Sequence, residues 1–328
     1  MKLNFNTNFR YQRIYGTISG YTTTYNCLKE DYPFLESIQS MLGFCDEVVV
    51  VDGCSDDGTW EKLQELAAIE PKLQLYQNEF NWEDPGVDGN QKAFARALCT
   101  MDFLWQQDSD EVVHESDYEK IKTITKRFPN THDILHLPVV ELWGLNGEAT
   151  DRRHIWKWRM SRNKPEISHA INKYARITHE KTGQVYAREG MSDGCEYVNI
   201  MNYEPLSHTG FYNEEFEKAR IENPEVFAQM ANMAYEQLPS VFHYSWADIP
   251  RKIKQLRKGG NWDRMWSLLY QKETMERFPG VDTDEKVNEL AQKLYEQGGE
   301  DSDQKKGKFE VSKSQPAIMK EWLVVRKK

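Results

Sequence analysis

In the first third of the chain, short runs of apolar and β-branched residues alternate with longer stretches whose apolar positions recur every three to four residues. YGTISGYTTTYN (15–26), rich in Thr and Tyr, predicts a strand. YPFLESIQSML (32–42) predicts a helix, with Pro33 near its start and Gly43 at its end. DEVVVVD (46–52) carries four consecutive valines, the composition of a strand covered on both faces. TWEKLQELAAI (59–69) predicts a helix, LQLYQ (73–77) a short strand, NQKAFARAL (90–98) a helix and DFLWQQ (102–107) another strand. Repeated β-α units of this kind imply a parallel sheet with helices on both faces.

From about residue 132 to 160 the pattern changes to strands and loops, with Trp143, Trp156 and Trp158 among basic residues. Helical periodicity returns near Asn213 and predicts helices over 213–238, broken at Pro224, over 248–258 and over 261–278. The polar, charged end of the chain reads as a loosely held tail in which MKEWLVV (319–325) has the composition to dock as a strand. The expected organisation is one α/β domain over 1–212, divided near 115, then a helical extension over 213–300 and a polar tail over 301–328.

Composition narrows the function. With 328 residues the chain can bury a substantial core. Lys+Arg 42 against Asp+Glu 52 gives a net charge of -10, which argues against coating nucleic acid or anionic membrane over the whole surface. No apolar run reaches the length of a membrane span, and MKLNFNTNFRYQR lacks the apolar centre of a signal peptide, so the expectation is a soluble, cytoplasmic protein. The five cysteines, Cys27, Cys45, Cys54, Cys99 and Cys195, are scattered and suggest neither a disulfide framework nor a zinc site.

The chemistry concentrates where strands are expected to end. LWQQDSDEVV (104–113) places Asp108, Asp110 and Glu111 behind a short apolar run. In extended backbone Asp108 and Asp110 share one side, and two adjacent carboxylates are tolerated mainly when a cation sits between them. Hard divalent ions prefer such oxygen ligands, and open parallel sheets bind ligands at the carboxyl ends of their strands. VVVVDGCSDDGTW (48–60) ends a strand in Asp52, turns through Gly53 and opens a helix. It lacks the Lys of a phosphate loop and carries two Asp that would repel a phosphate; an Asp at a strand end is better suited to accepting a hydrogen bond from a base or ribose.

TTTYN (22–26), VVVVDGCSDDGT (48–59), GNQKAFARAL (89–98) and QQDSDE (106–111) resemble, in order and spacing, the motifs of glycosyltransferase family two, an inverting group with the glycosyltransferase-A fold. The likeness is good over roughly the first 115 residues, with similarity to the lipopolysaccharide-core and bacteriophage-encoded branches. Thr stands where the family commonly has Pro just before Thr-Tyr-Asn. The resemblance implies one Rossmann-like, mostly parallel sheet flanked by helices, a C-terminal helical extension, a donor half at about 14–115 and an acceptor half at about 116–212. It implies a nucleotide-sugar donor, UDP-linked by the family's habit, lying across the strand ends, with Thr23 and Tyr25 flanking the nucleobase and Asp52 reading it. Lys92 resembles a basic pyrophosphate contact, and Asp108 and Asp110 the D-x-D pair that meets the ribose and a divalent metal, Mn²⁺ or Mg²⁺.

FHYSW (242–246) looks like an aromatic-flanked His motif of some branches of the family, which ranks His243 first as a further metal or diphosphate ligand, with His208 second. Lys252 and Lys254 follow on an expected helix, either reaching the diphosphate or forming its solvated face. Inversion needs a general base beyond the D-x-D motif. GMSDGCEYV (190–198) offers Asp193 and Glu196, and the Gly-flanked Asp193 is better placed to approach an acceptor.

Acceptor identity is read from WGLNGEATDRRHIWKWRMSRNK (143–164), where Arg152, Arg153, Lys157, Arg159, Arg162 and Lys164 surround Trp156 and Trp158. Aromatics stack on sugars and basic groups meet phosphates, so a glycan or glycolipid head group is the leading acceptor; a hydroxylated pyrimidine in DNA is the alternative. PEISHAIN (165–172), with Glu166 and His169, resembles an acceptor-side segment of the lipopolysaccharide-core branch. A plain amphipathic hairpin, Trp inward and Arg outward, explains the basic region equally. The sequence thus points to a metal-dependent inverting glycosyltransferase of a bacterial or phage-infected cell, against which stands a non-catalytic nucleotide-sugar-binding protein.

Overall fold

Val48, Val49, Val50 and Val51 are fully buried, as four consecutive valines require when both faces of a strand are covered. They lie in β2 (Glu47–Asp52). Val48 and Val50 join one apolar cluster with Ile38, Met41 and Leu63, whereas Val49 and Val51 join another with Tyr21, Ala95 and Leu104. The computed structural model describes residues 16–84, 87–128, 134–146, 148–165, 167, 169, 177–178, 185–186, 200–201, 222–223, 239–256, 261, 280–297 and 314–325.

Around β2 the expected units form: β1 (Ile18–Thr24), α1 (Phe34–Leu42), α2 (Thr59–Ala67), β3 (Leu73–Gln77), α3 (Val87–Ala97) and β4 (Phe103–Gln106). β3, β2, β1 and β4 are neighbours in that order and all parallel. The chain therefore steps outward from β1 to β3 and then crosses back to β4 on the other side of β1, which leaves a crevice at the strand ends between the β1 and β4 loops. The D-x-D turn follows β4, and the Asp52 loop follows β2 beside β1.

Beyond β4 the sheet becomes mixed. β5 (Glu111–Val113) and α4 (Tyr118–Arg127) precede a long hairpin, β6 (Ile134–Leu145) and β7 (Glu148–Arg162), which turns near Asn146 in the left-handed region at φ 56°. β7 runs antiparallel to β4 and to β6. Short strands follow at β8 (Ile177–Thr178), β9 (Val185–Tyr186) and β10 (Ile200–Met201), the last parallel to β6. β11 (Val241–Trp246) inserts between β6, to which it is parallel, and β5, to which it is antiparallel, completing a sheet of nine strands among the described residues. Within 213–300, expected to be a helical extension, residues 241–246 thus contribute an interior strand next to the edge strand β5. Val241, Phe242 and Tyr244 are fully buried, so its removal would open the core.

α5 (Ile249–Gln255) starts behind Asp248, whose carboxylate caps the Arg251 N–H at 3.1 Å, and Pro250 occupies the first turn. Together with α6 (Asp284–Gln297) it packs Ile249, Ile253, Val287, Ala291 and Leu294 over Trp143. Residues 314–325, expected within a polar tail, dock against the opposite face: Met319 and Trp322 bury against Val112, Phe242 and Tyr244. MKEWLVV is a 3₁₀ turn followed by α7 (Lys320–Val325), not a strand. The helices expected over 213–238 and 261–278 lie, but for residues 222, 223 and 261, outside the described residues. Among the described residues no helix is long and apolar enough to cross a membrane.

Candidate active site

The D-x-D segment is a tight turn linking β4 to β5, not extended backbone. The Glu111 N–H closes it on the Asp108 carbonyl at 3.0 Å. Gln107, fully buried, fixes it from below, its amide nitrogen 2.8 Å from the Glu111 carbonyl and 3.0 Å from Ser37 and Ser40 oxygens of α1. The turn gives the two aspartates separate protein partners, Lys92 and Arg159 for Asp108 and His243 for Asp110.

Asp108 accepts from Lys92 Nζ at 2.9 Å and from the Gln106 amide at 2.8 Å, and lies 3.4 Å from an Arg159 guanidinium nitrogen. Burial would raise its pKa, but Lys92, Arg159 and Lys157 hold the carboxyl well below the usual range. Lys92 also pairs with Asp88 one helical turn away, at 2.9 Å, which aims its ammonium from α3 across the strand ends. Arg159, only 1% exposed, reaches Gln106 and pairs with the fully buried Glu111 at 2.5 Å. Lys157 approaches the same Glu111 oxygen at 3.3 Å.

Asp110 faces His243 instead, at 3.3 Å from Nε2. The other ring nitrogen, Nδ1, lies 2.7 Å from the Glu141 carboxylate. Register explains the assembly: His243 of β11 pairs with Glu111 of β5 on one side and Glu141 of β6 on the other, so three ionisable side chains form a row across three strands. Burial alone would lower the His243 pKa, but Glu141 and Asp110 raise it to about 10. Burial would raise both carboxylic acids, yet the imidazolium charge brings Asp110 and Glu141 below their ordinary values.

At the ends of β1 and β2, Asp52 is fully buried and accepts from the Thr24 hydroxyl at 2.9 Å, the Ser55 hydroxyl at 2.6 Å and the Ser55 N–H at 2.8 Å. It ties the two loops together. Beside it Tyr25, half-buried, packs with Phe80 and Trp82, ring centroids 5.3 and 5.1 Å away. A Cβ on Gly53 would come within 2.0 Å of the Phe80 ring, so only glycine lets this aromatic group sit against the loop. Thr23, partly exposed, lies in register with Val51.

His169 is buried, stacked on Trp158 at 4.9 Å, with Nε2 2.8 Å from the Tyr21 hydroxyl. Burial, with Lys92 and Arg96 nearby, pushes its pKa well down, and burial raises that of Tyr21 to about 12. Lys254 pairs on the surface with Asp284 at 3.0 Å, whereas half-buried Lys252 acts electrostatically on Asp110. Asp193, Glu196, His208 and Glu166 lie outside the described residues, as do the side chains of Arg152, Arg153 and Trp156.

The sequence reading missed Glu141, and it placed Lys157 and Arg159 on an outward basic patch when both point into the charged centre. Glu141 did leave a signal, a lone acid in the apolar run LPVVELWGL (137–145). Among the described residues no group of three or more His, Cys, Asp and Glu is arranged to hold a metal ion. Asp110 and His243 nonetheless form a two-residue corner with one carboxylate oxygen and one imidazole nitrogen facing each other, a donor set suited to a divalent cation whose remaining positions are filled by phosphate oxygens. The oxygens of Asp108 are engaged by Lys92, Gln106 and Arg159.

Comparison with known proteins finds no match among curated proteins. Among solved structures, S. aureus TarS 1-349 in complex with UDP is 26% identical over 40% of this chain and 37% of its own, with a TM-score of 0.32. The mannosyltransferase PcManGT from Pyrobaculum calidifontis, in complex with GDP-Man and Mn²⁺, is 19% identical over 38% of this chain and 35% of its own, also with a TM-score of 0.32. The chain therefore spans little more than a third of either. S. aureus TarS 1-349 in complex with UDP-GlcNAc is 16% identical over 86% of this chain and 81% of its own, with a TM-score of 0.38. These likenesses are too distant to bear on side-chain geometry. The profile described as glycosyl transferase family 2 matches residues 21–174, the segment that carries the Asp52 loop, Lys92, the D-x-D turn, Glu141, Lys157 and Arg159.

Proposed function

We propose that the protein is a metal-dependent inverting glycosyltransferase that moves a sugar from a nucleoside-diphosphate sugar, a UDP-sugar first, to a hydroxyl of a glycan or glycolipid head group. The observation that carries this reading is the division of labour in the D-x-D turn, where Asp108 faces two fixed protein cations and Asp110 faces His243. The crevice between the β1 and β4 loops is where an open parallel sheet receives its ligand. Tyr25, with Phe80 and Trp82 behind it, offers a face for a nucleobase, and Asp52 holds the loop that presents it.

Lys92, Arg159 and Lys157 surround the leaving diphosphate's side of the crevice and supply fixed positive charge where negative charge develops. Asp110 and His243 would hold the divalent cation, which when bound neutralises the diphosphate as it departs. Asp193 is the proposed general base, taking the acceptor hydroxyl's proton on the opposite face of the sugar. Lys157 and Arg159 are turned inward, so their charge does not contribute to an outward stripe of the kind DNA binding needs, and the glycan reading is preferred.

The test is a calorimetric titration with UDP, GDP and CMP, each with and without Mn²⁺, on the wild type and on Asp110→Asn. One nucleotide is expected to bind, Mn²⁺ to strengthen it, and the substitution to remove the Mn²⁺ effect while sparing metal-free binding. No binding of any nucleotide, or a variant that responds to Mn²⁺ as the wild type does, overturns the proposal.

A further inference from the structure

Glu141 has no place in the family motifs or in the sequence reading, yet it is tied to the centre of the site. Its carboxylate lies 2.7 Å from His243 Nδ1, while Nε2 of the same ring points at Asp110. An imidazole ligates a cation through one nitrogen only, and the hydrogen bond made by the other nitrogen decides which one is free. A carboxylate accepts only, so Glu141 at Nδ1 requires a proton there, and Nε2 is the atom that would ligate once a bound cation displaces its proton. The strand register makes this arrangement rigid, because Glu141 and His243 are directly opposed on parallel β6 and β11.

Glu141 is also held. Its strand neighbours Val140 and Leu142 are buried in the core, and its carboxyl is 17% exposed, against 14% for His243. An acid in this position within a run of apolar residues has to be justified by a partner, and the partner is the ring that faces Asp110. We infer that Glu141 is a positioning residue that keeps His243 protonated at Nδ1 and directs Nε2 toward a divalent cation shared with Asp110. This rests on the metal site proposed above and adds to it the residue that selects the ligating nitrogen.

Mn²⁺ affinity, measured by electron paramagnetic resonance with Mn²⁺ alone and with Mn²⁺ plus UDP, tests it on the full chain carrying Glu141→Leu, Glu141→Gln or His243→Ala. Glu141→Leu is expected to weaken Mn²⁺ binding ~10- to 100-fold. Glu141→Gln, whose amide oxygen still accepts from Nδ1, should recover most of that loss, and metal-free UDP binding should be the same in both. A hydrogen bond of structural value alone would change stability and leave Mn²⁺ affinity where it was. If His243→Ala loses Mn²⁺ and Glu141→Leu does not, the inference about Glu141 fails while the metal site stands. If the wild type binds no Mn²⁺ under any condition, the metal site fails and the inference with it. Should Glu141→Leu not fold, the Co²⁺-loaded wild type decides. A hyperfine-shifted, exchangeable ring N–H signal, missing in His243→Ala, supports Nε2 ligation with Nδ1 held by Glu141, and its absence from Co²⁺-loaded protein overturns it.

Discussion

Arg159→Met isolates the electrostatics of the charged centre. Arg159 is 1% exposed and Glu111 is fully buried, their closest atoms 2.5 Å apart, so the substitution leaves a buried carboxylate without its nearest cation. Removing one partner of a buried ion pair costs ~3–5 kcal/mol. Lys157 stays 3.3 Å from the same carboxylate oxygen, which places the expected loss near the lower end, about 3 kcal/mol. In a chain of this size that corresponds to a midpoint roughly 4–5 °C lower in a thermal melt without ligands, and it should be checked by urea unfolding at neutral pH. The loss should narrow as pH falls below about 4. Asp108, whose carboxyl Lys92, Arg159 and Lys157 hold low against its burial, contributes stability that is present above its ordinary pKa and lost on acidification. Wild type has more of that contribution to lose than the variant. The sharper control is Glu111→Gln with Arg159→Met, which removes both charges and should be clearly more stable than Arg159→Met alone. A single variant that loses less than ~1 kcal/mol, or a double variant whose loss equals the sum of the two singles, would refute the reasoning, because the cost is assigned to an uncompensated charge and not to missing packing.

Asp52→Asn turns one acceptor oxygen into a donor facing groups that already donate, and is expected to cost ~1–3 kcal/mol by chemical denaturation; an unchanged midpoint contradicts the loop-tying role. His243, raised to about 10 by Glu141 and Asp110 against its burial, contributes stability that is complete below about 6.5 and fades as pH approaches about 10. The advantage of metal-free wild type over His243→Gln in urea unfolding should therefore shrink across that interval, and a constant gap counts against the pairing. Trp322→Ala removes a 7%-exposed ring packed edge-on against Tyr244 at 5.6 Å. It should cost ~3–5 kcal/mol and expose residues 314–325 to limited proteolysis, whereas a protease pattern like that of wild type argues that this segment is dispensable.

The parallel half of the sheet was legible because each of its strands announces itself locally. Val48 to Val51 need two covered faces whatever the partners, and the Asp52 and D-x-D loops follow their strands directly in sequence. The other half is decided by pairing between distant segments, which no local period records. Lys157 and Arg159 occupy one side of β7 by simple alternation, and as a period-two pattern they read as a solvated face. They are inward because β7 lies between β4 and β6 and meets Glu111, a residue 46 to 48 positions earlier in the chain. Glu111, taken alone, reads just as reasonably as surface charge. The same holds for Glu141, whose partner His243 is 102 positions away and reaches it only when β11 enters the sheet. MKEWLVV fails in the opposite way: its β-branched end suits a strand, but docking Met319 and Trp322 on Phe242 and Tyr244 needs a helical spacing of three, and the packing overrides the propensity. What is hidden from the sequence is therefore one kind of feature, charges that become buried only in pairs. Every residue of the site that was missed or misplaced is a member of such a pair, which is why Arg159→Met and Glu141→Leu test the site more directly than substitutions within the motifs do.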